Sequence, residues 1–117
     1  MYSHIIELTA KPGQAGLLVA AIRDHAIPEI IQRAKGFVDQ IVLQSDSEPD
    51  DVTSISFWES KEYGDLFFKN GFRQVGALTA PFISAKPQAY ALSVEVSTID
   101  RIRPADDEET DPCGDCD

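Results

Sequence analysis

Cysteine is confined to one short stretch, Cys113-Gly-Asp-Cys116, at the end of the chain. Two thiolates fall short of the four ligands a structural zinc site takes, and with no second pair there is no disulfide framework. Nor does the pair open a helix in a βαβ setting, as a redox motif of this spacing does. An inert tail is expected, with zinc bridging two tails of a dimer as the alternative. No apolar run approaches the ~20 residues that cross a bilayer, which argues against a membrane protein. The opening MYSHIIEL lacks a basic segment followed by a long apolar core, so a cytoplasmic protein is expected. Phosphate-cradling glycine loops, G-x-S-x-G, H-E-x-x-H and dinucleotide fingerprints are all missing. Basic residues form no stripe that would displace counterions from nucleic acid, and that class of partner is excluded too. No metal and no cofactor is called for by any motif.

What is present fits one domain. The 117 residues carry a formal net charge of -10, but seven acids and no bases lie from Pro104 onward. The preceding residues hold 13 acids against 10 bases and are only mildly acidic. The division expected is a folded domain over 1–103 and a mobile acidic tail over 104–117, too poor in apolar residues to offset its ordering entropy.

Residues 2–9 are rich in strand formers and stop at Lys11-Pro12-Gly13, a turn signature. From Gln14 the period becomes helical, with Leu17, Leu18, Ala21, Ile22 and His25 on one stripe. Pro28 lies inside the run and is expected to kink or restart the helix; beyond it Ile27, Ile30, Ile31 and Ala34 define a different face. Gly36 closes the helix. Strands are read over 37–44 and 52–58, joined by a polar, proline-bearing loop, with Ser60 capping a helix from Lys61. That helix is interrupted near Asn70-Gly71, resumes from Phe72 and ends by Pro81. The last strand is read over 89–96.

The order β-α-β-β-α-β predicts an α+β, ferredoxin-like fold: one four-stranded antiparallel sheet with helices on one face. The strands are apolar in both phases, Ile6 and Leu8 against Ile5, and Ile55 and Phe57 against Val52 and Trp58. A face left uncovered by helices calls for a partner, and a twofold homodimer is the economical one.

In that order, Lys11-Pro12-Gly13, His25-Ala-Ile-Pro-Glu-Ile30, Lys35-Gly-Phe-Val38, Leu43-Gln-Ser45 and Ser56-Phe-Trp-Glu-Ser-Lys-Glu62 resemble the antibiotic biosynthesis monooxygenase (ABM) domain of the dimeric α+β barrel superfamily. The likeness spans roughly residues 1–98. It implies a homodimer with a small pocket in each subunit, and relatives that oxidise aromatic polyketides or quinols without metal or flavin, or degrade haem. The haem-degrading pattern asks for a histidine past the tryptophan and an asparagine on the first strand. Residues 71–81 hold no histidine and residues 2–9 no asparagine, so haem chemistry is disfavoured. Polyketide-oxidising relatives carry an asparagine about four residues before the tryptophan, and Ser54 stands there.

The expected catalytic set is His25, Trp58 and Ser54. His25, on the apolar stripe, is read as a proton acceptor for a phenolic substrate or as a histidine without chemistry. Trp58 is read as an aromatic wall with an N–H donor or as core, and Ser54 as a hydrogen-bond donor. Substrate contacts are expected from His4, Phe57, Tyr63, Phe67, Phe72 and Arg73, each also readable as core, interface or solvated surface; Phe82 is core or pocket lining. The function expected is cofactor-independent monooxygenation of a small aromatic or quinol-like molecule. The alternative is a non-catalytic dimeric barrel that binds an apolar small molecule in a stress-related or regulatory role.

Overall fold

The computed structural model describes residues 1–104; the expected acidic tail beyond Pro104, with Cys113 and Cys116, lies outside the described residues. Strands β1 (Tyr2–Thr9), β2 (Phe37–Gln44), β3 (Asp51–Trp58) and β4 (Gln88–Ser93) form one sheet in the order β2-β3-β1-β4. Every neighbouring pair is antiparallel. Helix α1 (Ala15–Ala21) runs into a π-helical segment (Ile22–Ile31), and α2 (Lys61–Asn70) and α3 (Phe72–Thr79) follow β3. This is the expected ferredoxin-like α+β arrangement.

At Pro28, where a kink or restart is expected, the helix runs on without a break. The winding widens instead, and the Gln32 amide reaches back five residues to the Ile27 carbonyl at 2.9 Å. A π turn places the missing proline N–H inside a continuous helix. The buried positions follow the widening: Ala15, Leu18, Ile22, Ala26 and Ile31 are spaced three, four, four and five apart. Of the stripe read from the sequence, Leu18 and Ile22 are buried. Leu17 is 55% exposed and His25 is exposed, while Ala26 is buried.

Register assigns the two faces of the sheet. Leu8 pairs with Val52, Ile6 with Ser54, His4 with Ser56 and Tyr2 with Trp58. Leu8, Val52 and Trp58 join Leu18, Ile22, Ala26 and Ile31 in the core. Full burial of a side chain of this size contributes ~1.5–3 kcal/mol. On the opposite face Tyr90, Ile5, Ile55 and Ile41 stand in one cross-strand row. Ile41 and Tyr90 are exposed there, as are Leu43 and Leu92. The last strand is shorter than read, because β1 begins at Tyr2; past its partner Ser93 only the Val94 amide continues the ladder, to the Met1 carbonyl at 3.0 Å.

The β3 to α2 junction is built as its residue types require. The Ser60 hydroxyl accepts from the Tyr63 amide at 3.4 Å and caps α2, with Glu62 in the positive first turn. Tyr63 then lies against Gly36, whose φ is +84° and whose side-chain position its ring fills. Any other residue at 36 meets both a left-handed backbone and the tyrosine.

Candidate functional site

Between the sheet and the helices lies a cavity of about 200 Å³. Its floor is Ile6 and Leu8 of β1, Gln40 of β2 and Ser54 of β3; Ile22 and Ile31 of the π segment and Phe72, Val75, Gly76 and Thr79 of α3 close it. Ile83 and Pro87 complete the wall. Three lining side chains are polar. Thr79 is spent within its helix, its hydroxyl 3.2 Å from both the Val75 and Gly76 carbonyls.

Gln40 and Ser54 are the other two, and they act as a pair. Gln40 Nε2 donates to Ser54 Oγ at 2.5 Å. Gln40 Oε1 is buried with no partner among the described residues. Ser54, itself buried, still has its own O–H to give. The cavity therefore offers one acceptor and one donor in an apolar shell. A buried acceptor without a partner costs ~1–3 kcal/mol, which a ligand hydroxyl donating to Gln40 Oε1 recovers in part. None of the lining side chains is an acid, a base, a thiol or a phenol.

A second cluster surrounds His4, on the same sheet face but outside this cavity. His4 is 5% exposed, and neither ring nitrogen has a hydrogen-bond partner among the described residues. Its ring lies 5.1 Å from Phe68, edge to face, and 6.4 Å from Trp58. Burial pushes its pKa down; Asp65, whose Oδ1 is 3.9 Å from Nε2, works against that and Lys61 adds to it. The net lowering favours the neutral imidazole.

Of the residues singled out from the sequence, Ser54 and Phe72 line the cavity. Trp58 is fully buried, stacked on Phe67 at 4.9 Å and edge-on to Phe37 at 5.8 Å, with Nε1 donating to Ser56 Oγ at 2.9 Å. It belongs to the core beside the cavity rather than to the lining. His25 is exposed and its Nδ1 lies 3.0 Å from Glu29 Oε2. Phe57 is on the open sheet face, across from Ser3 of β1. Tyr63 and Phe82 pack against the core, and Arg73 is exposed.

Gln40 escaped the sequence reading for a physical reason. Strict alternation from Phe37 would turn Asp39 and Ile41 inward. The ladder slips between Phe37 and Asp39, so that Phe37 pairs with Trp58 but Asp39 with Phe57. This bulge turns Gln40 and Val42 toward the helices. A polar residue at that position is the only sequence signal, and it has meaning only once the bulge is known.

A one-sided antiparallel sheet with helices over one face and an apolar cavity between them defines an α+β protein of ferredoxin-like fold. The family model for antibiotic biosynthesis monooxygenases matches residues 1–70, and the chain belongs to that family. No protein of curated function matches it in sequence. Among solved structures it is similar to a protein of unknown function from Nitrosomonas europaea, with a TM-score of 0.70 and 16% identity over 84% of this chain and 92% of that one. It is also similar to SnoaB, a cofactor-independent oxygenase from Streptomyces nogalater, with a TM-score of 0.68 and 12% identity over 83% and 95%. A third, from Chloroflexus aurantiacus and provisionally named an antibiotic biosynthesis monooxygenase, has a TM-score of 0.61 and 23% identity over 84% and 97%. At these identities the likeness is one of fold. No helix among the described residues is long and apolar enough to cross a membrane.

Proposed function

We propose that the protein oxidises a single-ring phenol or quinol with dioxygen in the cavity above Gln40 and Ser54, without a cofactor. The observation that carries this reading is the lone donor–acceptor pair set in an otherwise apolar cavity lining. Its size selects the substrate class. An engineered apolar cavity of about 150 Å³ takes up benzene, so about 200 Å³ suits one substituted ring and is too small for a fused polycycle.

For a quinol the balance closes without an external reductant. A ring carbon beside a hydroxyl bonds to one oxygen atom, the second leaves as water, and the quinol becomes a hydroxyquinone. The substrate gives up all the electrons that dioxygen takes. Gln40 Oε1 accepts from the substrate O–H, and Ser54 O–H donates to the oxygen on which negative charge develops. Both act by positioning and by stabilising charge where water is excluded. Because the lining holds no base, the rate follows the substrate's own ionised fraction and rises with pH toward a phenol pKa of ~10.

That same lack of a base favours a second reading, a non-catalytic carrier of a small apolar phenol. One experiment separates the two. With a single-ring quinol, an oxygenase forms hydroxyquinone in air and none under anaerobic conditions. Equal conversion with and without oxygen removes the oxygenase reading, and binding without conversion in air establishes the carrier.

We further propose a homodimer formed through the open sheet face. The row Tyr90, Ile5, Ile55, Ile41, with Leu43 and Leu92 exposed beside it, forms the patch whose burial supports pairing of two copies.

A further inference from the structure

Where α2 passes over the edge of the sheet, a smaller pocket of about 130 Å³ is lined by His4, Asp65, Phe68 and β4 residues 89–91. The helices stop short of β4, whose six residues are all exposed, and the short side chains of Ala89 and Ala91 leave the space open. Ala91 pairs with His4 and Ala89 with Ile6, so both alanines face the same side of the sheet as the imidazole. The stacked pair Phe68 and Phe72, 4.5 Å between centroids, divides this pocket from the main cavity: Phe72 lines one and Phe68 the other.

The polar groups here narrow the choice of ligand. His4 Nε2 and Asp65 Oδ1 are 3.9 Å apart, too far to bond to each other. A single hydroxyl oxygen placed at ordinary hydrogen-bond distance from both spans that gap, accepting from Nε2–H and donating to the carboxylate. Only a group that is donor and acceptor at once satisfies both partners. An anion is opposed by Asp65. A second cation is opposed by Lys61, whose Nζ is 2.7 Å from Asp65 Oδ2. A metal ion would find two ligands, since no group of three metal-binding side chains occurs among the described residues.

We propose that the His4–Asp65 pocket is a second binding site, for a small neutral aromatic molecule bearing a hydroxyl group, with the ring against Phe68 and the hydroxyl between the imidazole and the carboxylate. It is independent of the oxygenase reading. A ligand hydroxyl there partners a ring nitrogen that has no hydrogen-bond partner among the described residues.

The test is titration of the folded protein with phenol, followed on the ¹⁵N-labelled imidazole resonances. The chain has two histidines, and the exposed His25 serves as the internal reference. The expected result is a saturable shift of the His4 resonances with His25 unmoved. The shift persists in Gly76→Leu, whose added side chain occupies the main cavity. Asp65→Ala weakens phenol about tenfold, as does replacing phenol by benzene, in keeping with loss of one charge-assisted hydrogen bond. Contacts from the phenol ring to the Ala89 and Ala91 methyl groups, seen as nuclear Overhauser effects in the unsubstituted protein, support the site without any variant. The proposal is overturned by His4 resonances that stay fixed at saturating phenol, by a shift that vanishes in folded Gly76→Leu, or by benzene binding as tightly as phenol. None of these outcomes bears on the oxygenase reading of the main cavity, which the comparison of quinol conversion with and without oxygen tests separately.

Discussion

Gln40 reaches from β2 to Ser54 on β3 and donates to its hydroxyl at 2.5 Å, so that the glutamine carbonyl oxygen is left buried beside an apolar cavity with no partner among the described residues. Gln40→Leu removes the acceptor while keeping the bulk. It is expected to weaken phenol binding about tenfold and leave benzene binding within about twofold, the difference being one hydrogen bond of ~1.4 kcal/mol. Calorimetric titration of both ligands measures it, and equal losses for the two would mean that the amide only fills space.

Gly76 sits in the middle of α3 on the cavity wall, and a Cβ built there meets nothing within 4 Å. Gly76→Ala should raise stability by ~0.5–1 kcal/mol through reduced backbone entropy in the unfolded chain. Gly76→Leu should keep the fold while lowering the thermal shift given by small phenols to the part that binding in the His4–Asp65 pocket supplies. A ligand-induced shift unchanged in Gly76→Leu would place ligand binding elsewhere.

His25→Ala is expected to leave quinol turnover within about twofold, because the imidazole is exposed and engaged with Glu29 away from the cavity lining. Ser54→Ala should lower turnover at least tenfold with little effect on the melting temperature. Steady-state rates of the two variants, measured side by side, reverse the assignment if the losses are interchanged.

Stability should depend on pH through His4. Burial holds its folded-state pKa below the ordinary imidazole value of 6.5, so the unfolded chain takes up the proton first as pH falls. The contribution is complete above 6.5 and is lost progressively below it, until the folded-state value is passed. The charged groups facing the ring are Asp65 and Lys61 of α2, while its neighbours Trp58 on β3 and Ala91 on β4 carry no charge. His4→Leu should abolish this part of the slope. Denaturant unfolding of both proteins between pH 7.5 and 5 tests it, and parallel curves would show that His4 does not titrate differently on folding.

Ile55 lies at the centre of the open face, between Ile5 and Ile41. Ile55→Asp should convert a dimer into a single chain without unfolding it, since the side chain faces away from the core. Light scattering reads the mass directly. A protein already monomeric before substitution at micromolar concentration would remove the dimer.

Much of the architecture was legible in the chain. Alternation and turn signatures located β1, β2 and β3, Ser60 and Glu62 announced α2, and the two-phase apolarity of Ile5 against Ile6 and of Ile55 against Val52 announced a sheet with two greasy faces. These signals are local, a matter of period and of which side chains fit a pleated or helical backbone. Ser54 came onto the list of site residues through the family resemblance, and Phe72 as an aromatic of core or pocket lining.

The contents of the cavity were decided only by tertiary structure. A one-residue bulge in β2 turned Gln40 inward, and in the helix that becomes π-wound from Ile22 onward His25 is exposed and Ala26 buried. Both are changes of winding or register that alter which way a side chain points without altering the composition around it. Packing against β3 and α3 selects them, because only the assembled core distinguishes a phase that buries apolar surface from one that does not. The sequence by itself determined which elements form and in what order; which of its few polar side chains line the cavity was settled when those elements closed over one another.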